Sequence, residues 1–515
     1  MGDSGIKYRI EPSSEGAPTM SVTDEAGRSV YLHSRIDPLR EAGTFAGRLN
    51  PEKYDTLIIL GCALGYHCLP VKDNLSRYTR IIIIDPLQGI EGELEKNAAT
   101  RFLVSSNINR LFGLPAEEVQ SILPDLVNLE GGRGVQVLEH VPSLRAFPAY
   151  YGVIKKTIAR IINKQAGNLA TVSAFGARYL RNCLLNLRNL SACRPVSCLQ
   201  NSFPGRPAMV ITSGPSLEDK LPTIARIHNS TVVISVDSAL PVLSRAGIRP
   251  DIVVSIDPQP HIHEHFHHSP CRDFLPVYAL SSHPLAVAHY PGLISLNSHP
   301  LAQLIEEMYP EKTGSIDSRT GTVTGDALAC ARYLGCTVIA LIGFDSSFPG
   351  FSIYARGSAY QRRFGAYFQN RTSPIEKRNL DYIMTSSRKL KRDGLHTRRA
   401  FLQYRELVEG FALSDKNHRI ISISPSGLPM EKVTRMEIGE FEQMYCRGAF
   451  DKTGIIGSRL DAAPRMNEII ELTALEKLLR NTRLREELVR ASLTSGTAEA
   501  LHRKTDRYFE ALHGV

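Results

Sequence analysis

Apolar positions in this chain fall in short unbroken runs, and each run stops at small, hydroxylated or acidic residues. Ala208-Met209-Val210-Ile211-Thr212 stops at Ser213-Gly214-Pro215-Ser216-Leu217, and Thr231-Val232-Val233-Ile234-Ser235-Val236 at Asp237-Ser238. Asp251-Ile252-Val253-Val254-Ser255-Ile256 stops at Asp257-Pro258-Gln259. Helical spacing fills the intervals, from Glu218 to His228 and from Leu240 to Ala246. β-Branched runs alternating with helices predict parallel strands buried on both faces. Two more runs with polar tips follow, Leu275 to His283 and Leu293 to Asn297. Val338-Ile339-Ala340-Leu341-Ile342 then closes on Gly343-Phe344-Asp345, and residues 420–435 hold a last strand. The expected fold class is α/β, with a Rossmann-like parallel-sheet core.

A second, earlier set of runs predicts a separate amino-terminal Rossmann-like domain. Thr56–Leu60 leads into Gly61-Cys62-Ala63-Leu64-Gly65, and Ile81–Ile84 ends at Asp85. Asp85 follows Gly65 by about twenty residues, where an acid holds ribose hydroxyls. Ala63 stands in place of the usual middle glycine, so a purely structural βαβ unit is the competing reading. Boundaries are expected at 1–135 for this domain, 136–205 for a helical linker, 206–450 for the central domain and 451–515 for a helical carboxyl-terminal region. On the linker, Asn182 and Asn186 share a helix face, as amides that tie a helix to neighbouring backbone do. On the tail, Leu472, Leu475, Leu478 and Leu479 make one apolar stripe.

Composition narrows the classes of function. The 515 residues exceed what one core holds, so several domains are expected. A net charge of +9 suits an anionic ligand, but the 61 Lys and Arg are spread along the chain, which argues against nucleic acid as partner. Nine cysteines without CxxC pairs point to reduced thiols. The amino terminus lacks the apolar stretch of a secretory signal, and no run reaches the length of a membrane span. A cytoplasmic protein without a membrane partner is expected.

Chemistry concentrates at the strand ends, where open α/β sheets bind ligands. Ser213, Gly214, Pro215 and Ser216 form a turn into a helix, suited to a phosphate. Thr320-Gly321-Thr322 makes a second small-residue entry into a helix. Asp237, Asp257 and Asp345 put three acids at strand tips, with Ser238 and Gln259 beside them. Arg356, Arg362 and Arg363 are available to a carboxylate or phosphate. Between Pro260 and Pro270, His263-Glu264-His265-Phe266-His267 matches H-E-x-x-H. The segment is too short for a metalloprotease helix and nothing nearby nominates a third ligand, so no metal site is expected.

In combination these segments resemble the motility accessory factor family. The match rests on Ser213-Gly214-Pro215-Ser216-Leu217, Ile234-Ser235-Val236-Asp237-Ser238-Ala239-Leu240 and Gly247-Ile248-Arg249-Pro250-Asp251, running into Ser255-Ile256-Asp257-Pro258-Gln259. The family lies within a larger one similar to 6-hydroxymethylpterin pyrophosphokinases, and its core is sialyltransferase-like. The resemblance implies glycosyl transfer in the cytoplasm, from a CMP-activated nonulosonic acid to Ser or Thr hydroxyls of flagellin. Flagellin is then the partner, and the nucleotide sugar the donor. It places phosphate on the Gly214–Ser216 turn and base and ribose against Asp237 and Asp257, with Asp257 and Asp345 as catalytic candidates. No cofactor is required, because CMP leaves readily. Where the family usually has His-Ala, this chain has Tyr354-Ala355, so that position supplies no imidazole base. One alternative is pyrophosphoryl transfer to a hydroxymethyl pterin, which needs Mg²⁺ held by paired acids; Gln259 stands where the second acid belongs. Another is a non-catalytic flagellin-binding or export factor.

Overall fold

The computed structural model describes residues 6–479 except 7, 25, 44–45, 106–107, 128–133, 297–298, 319, 366–373, 388–389 and 416. The strand tip expected at Asn297 and the tail beyond 479 lie outside the described residues. The chain divides into two units, Met1–Ala170 and Thr171–Val515.

In the first unit, three antiparallel strands (β1 Tyr8–Pro12, β2 Pro18–Thr23, β3 Ser29–Tyr31) precede four parallel ones. These are β4 (Thr56–Leu60), β5 (Arg80–Asp85), β6 (Asn109–Phe112) and β7 (Val135–Glu139), in the order β6-β5-β4-β7. Every residue of β4 is buried, as an apolar run without alternation requires.

The second unit is built on nine parallel strands. They are β8 (Arg194–Pro195), β9 (Pro207–Ile211), β10 (Val232–Val236), β11 (Ile252–Ser255), β12 (Leu275–Ala279), β13 (Leu293–Ser295) and β14 (Val338–Ile342), with two more after a small hairpin, β15 (Lys391–Arg392) and β16 (Leu395–His396). The last two are β17 (Arg419–Ile423) and β18 (Thr434–Arg435), so the single strand expected at 420–435 is two. Their order is β18-β17-β14-β9-β10-β11-β12-β13-β8. The chain lays down β9 to β13 in one direction and then returns to place β14 on the other side of β9. Such a reversal, here between β9 and β14, marks the carboxyl edge as the side where sheets of this kind bind ligands. The helix Val323–Tyr333 packs against β9, β10 and β11. It runs back from the carboxyl edge to the start of β14, so its amino terminus lies at the same edge.

Local detail is added in three places. The helix expected from Glu218 to His228 is a 3₁₀ segment, Pro215–Lys220, followed by an α-helix, Leu221–Ile227. Pro222 has no N–H to give to Glu218, so an α-helix cannot continue through it. The linker expected at 136–205 is not one element: most of β7 opens it, β8 closes it within the main sheet, and the unit boundary falls inside the helix Pro148–Asn186. Of the region after 450, the described residues, to 479, pack on the second unit. Lys452 Nζ is buried, donating to His228 O at 2.7 Å, Thr231 O at 3.1 Å and Asp251 Oδ2 at 2.7 Å. Further on, Leu475 and Leu479 of the helix Leu472–Leu479 are buried in the core, whereas Leu478 of the same stripe is exposed.

Candidate functional site

The tip of β9 and the tip of β14 interlock. Gly214 N–H donates to Gly343 O at 2.9 Å, and Ser216 N–H donates to Asp345 Oδ2 at 2.9 Å. A Cβ on Gly214 would lie 2.5 Å from Asp345 Oδ2 and closer still to Gly343 O. Gly343 itself has φ +76°, a conformation that glycine adopts without strain. Gly214 therefore admits the backbone of β14, not an external anion. The turn's donors at Gly214 and Ser216 are taken inside the fold, and Leu217 N–H closes on Gly214 O at 3.1 Å. This departs from the expectation of a phosphate on Gly214–Ser216. Asp345 is 3% exposed, and burial raises its carboxyl above the usual range against the hydrogen bonds from Ser216. Its position is that of an internal anion holding a turn, which departs from its expected catalytic place.

Asp237 and Asp257 stand differently. Asp237 is buried at the end of β10; its Oδ2 accepts from Ser255 Oγ at 2.6 Å, and His265 Nδ1 lies 3.3 Å from its Oδ1. Beside it, Ser213 Oγ and Ser238 Oγ are 2.8 Å apart. Asp257 is half-buried, accepting from Gln259 N–H at 2.9 Å and from Gln259 Nε2 at 3.4 Å. Burial raises its pKa, the Gln259 bonds oppose that, and the charge of Asp237 adds to it. The tip is held from behind by Asn182, whose Nδ2 donates to Pro258 O at 3.0 Å and Ser281 O at 3.2 Å. Asn186 does the same for Leu280 O at 2.8 Å and Ser282 O at 2.9 Å, so both asparagines serve as ties to backbone.

The third group is a ladder of hydroxyls. Thr320 Oγ1 lies 2.6 Å from Ser318 Oγ and 3.0 Å from Thr322 Oγ1, and Thr322 Oγ1 caps the helix Val323–Tyr333 by accepting from Gly325 N–H at 3.1 Å. Gly321 makes the bend with φ +63°. Buried Asp326 accepts from Ser318 N–H at 2.9 Å, and burial pushes its pKa up to about 6.

A cavity of about 200 Å³ opens at this edge, lined among others by Ser238, His261, His265, Tyr354 and Arg363. The loop that carries Tyr354 is fixed across the strand ends by Ala355 N–H to Ser213 O at 2.9 Å and Arg356 N–H to Glu218 Oε1 at 2.8 Å. The histidine-rich helix Ile262–His267 divides by face. His261 and His265 reach the cavity, whereas His263 and His267 stack at 5.7 Å and His263 Nε2 lies 2.9 Å from His289 Nδ1. The H-E-x-x-H pattern draws attention to His263 and His267 and away from the face that meets the cavity. The spacing of four between His261 and His265 was the signal for a second shared face. Among the described residues, no three His, Cys, Asp or Glu side chains converge as metal ligands would.

In the first unit, Asp85 is also internal. It accepts from Cys62 N–H at 2.6 Å, Ala63 N–H at 3.0 Å and Leu87 N–H at 2.9 Å, and it is 1% exposed. Its carboxylate secures the glycine turn and is closed to a ribose. A larger cavity in that unit, about 360 Å³, is mostly aliphatic and contains none of the strand-tip acids.

The family described as 6-hydroxymethylpterin diphosphokinase MptE-like matches residues 181–350, from the paired asparagines past Asp345. Three uncharacterized proteins of Treponema pallidum (strain Nichols) are related in sequence. One is 29% identical over 120 residues (22% of this chain, 56% of the relative), another 24% over 231 residues (43% and 75%) and a third 30% over 145 residues (25% and 36%). The chain thus spans little more than half of the first relative's length. Among solved structures, the MAf glycosyltransferase from Magnetospirillum magneticum AMB-1 superimposes with a TM-score of 0.57 at 12% identity, over 98% of this chain and 85% of that one. Over residues 181–350 the chain is therefore similar to the MptE-like family, and its fold is that of a MAf glycosyltransferase.

Proposed function

We propose that this protein is a cytoplasmic glycosyltransferase that moves a nonulosonic acid from a CMP-activated donor to Ser or Thr hydroxyls of flagellin. The observation that carries the reading is the likeness of fold along nearly the whole chain, well outside the MptE-like stretch. The tip of β11 favours it over pyrophosphoryl transfer. Mg²⁺ between phosphates requires clustered carboxylate oxygens, whereas Asp257 is followed by Pro258 and Gln259 and both its oxygens accept from Gln259. In this reading the nucleotide lies along the strand ends near Asp237, Ser238 and Asp257. With the Gly214–Ser216 donors engaged, the phosphate falls to the hydroxyls of Thr320 and Thr322 and the helix start behind them. Arg363, in the cavity wall, pairs with the carboxylate of the acidic sugar. No metal is called for, since CMP is a good leaving group.

The test is to incubate the protein with flagellin and a CMP-nonulosonic acid in EDTA and weigh the flagellin by mass spectrometry. A parallel reaction contains ATP, hydroxymethyl pterin and Mg²⁺. Sugar added to flagellin in the first reaction supports the proposal. Product in the second reaction alone overturns it.

A further inference from the structure

Glycosyl transfer to a hydroxyl needs a group that takes the hydroxyl's proton as the new bond forms. Tyr354 lines the cavity from the loop across the strand ends, and an imidazole reaches the same cavity from the histidine-rich helix. We infer that His265 is the general base of the transfer and Asp237 its positioning partner. This rests on the proposed glycosyltransferase reading and assigns a role within it.

The geometry is that of an oriented imidazole. His265 Nδ1 is buried, 3.3 Å from Asp237 Oδ1, and the side chain is 13% exposed while lining the cavity. Because Nδ1 is buried, Nε2 is the ring nitrogen left to meet a substrate. Asp237 is itself held, since its other oxygen accepts from Ser255 Oγ at 2.6 Å. A carboxylate fixed from behind keeps the proton on Nδ1 and leaves the Nε2 lone pair for an incoming hydroxyl. At 3.3 Å the two groups approach without a formed hydrogen bond, and catalytic hydrogen bonds often close only when substrate tightens a site. Other titratable groups share the cavity: His261, 6.0 Å from the ring, and Glu264 beside it in the chain, with Tyr354 from the loop and Arg363 from the helix Ala359–Gly365.

In the step, the acceptor hydroxyl gives its proton to His265 Nε2 and its oxygen bonds to the anomeric carbon. The bond from that carbon to the CMP phosphate oxygen breaks, and the electron pair leaves with CMP. The imidazolium, stabilised by Asp237, returns its proton to CMP or water.

The experiment compares His265→Asn, Asp237→Asn and wild type. An asparagine at 265 keeps an amide near the position of Nδ1 but has no base. Transfer to flagellin from a CMP-nonulosonic acid is expected to fall by about 10²-fold or more in kcat for His265→Asn. CMP affinity by calorimetry should stay within about twofold, and added imidazole should restore part of the rate in His265→Gly. Side-chain ¹⁵N spectra should show the Nδ1–H tautomer at His265 in wild type and its loss in Asp237→Asn. If wild type transfers sugar and His265→Asn keeps more than a tenth of its kcat, or if the wild-type proton sits on Nε2, the inference is overturned and the glycosyltransferase reading stands. If wild type transfers nothing, the glycosyltransferase reading fails, and the assignment of a base fails with it.

Discussion

Replacing Gly214 by alanine tests whether the turn after β9 is a latch or an anion cradle. The added methyl would sit 2.5 Å from Asp345 Oδ2 and against Gly343 O, so the tips of β9 and β14 must separate. Overpacking of this kind costs about 1–3 kcal/mol. Separation also weakens the bond from Ser216 N–H to the buried Asp345 carboxylate, worth about 1.5–3 kcal/mol for a charged acceptor. Together the loss is about 2.5–6 kcal/mol. In a unit of this size that lowers the melting temperature by roughly 5 °C. The assay is a thermal melt followed by circular dichroism, with Gly410→Ala as control. Gly410 lies inside the helix Arg399–Leu413 and its Cβ would meet nothing within 4 Å. The control should therefore gain about 0.4–1 kcal/mol. A Gly214→Ala melt within a degree of wild type, accompanied by loss of CMP binding, would refute the latch and restore the turn as a phosphate site.

Two further outcomes follow from titratable groups at this edge. Burial raises Asp326 to about 6 from 3.8, so the fold prefers its neutral form. The stability linked to it is complete below the unfolded value and is lost as pH rises through about 6, an effect on the order of 3 kcal/mol. Asp326→Asn should abolish that loss between pH 4 and 6, read by denaturant unfolding at each pH, and an unchanged slope would count against it. For the histidine helix, His263→Ala and His267→Ala should leave flagellin transfer within about twofold and metal content well below one zinc per chain; stoichiometric zinc lost in both variants would reverse the reading.

The strands were legible because their apolar runs are continuous and their tips change character abruptly, as at Val236-Asp237 and Ile256-Asp257. That three acids lie at one edge follows from the parallel sheet. Their separate roles do not, because each depends on a partner far away in the chain. Asp345 is spoken for by Ser216, 129 residues earlier, and Asp237 by Ser255 and by a histidine from a helix. Lys452 was invisible for the same reason: its carboxylate partner, Asp251, lies 201 residues before it. Local pattern also misjudged the stretch after Gly214, where Pro222 sets the α-helix start three residues later than spacing implies.

The order of the main sheet has a bearing on how the chain is made. β14 presents Val338-Ile339-Ala340-Leu341-Ile342 to β17, paired residue for residue from Val338↔Arg419 to Ile342↔Ile423. Until residues 419–423 emerge from the ribosome, that apolar edge has no neighbour on its outer side. A fragment ending at residue 350, where the MptE-like match stops, would keep the edge bare permanently. Bare apolar edges recruit strands from other molecules. Such a fragment is expected to self-associate rather than fold, and the nascent chain must shelter the same surface for as long as it takes to synthesise the next seventy or so residues.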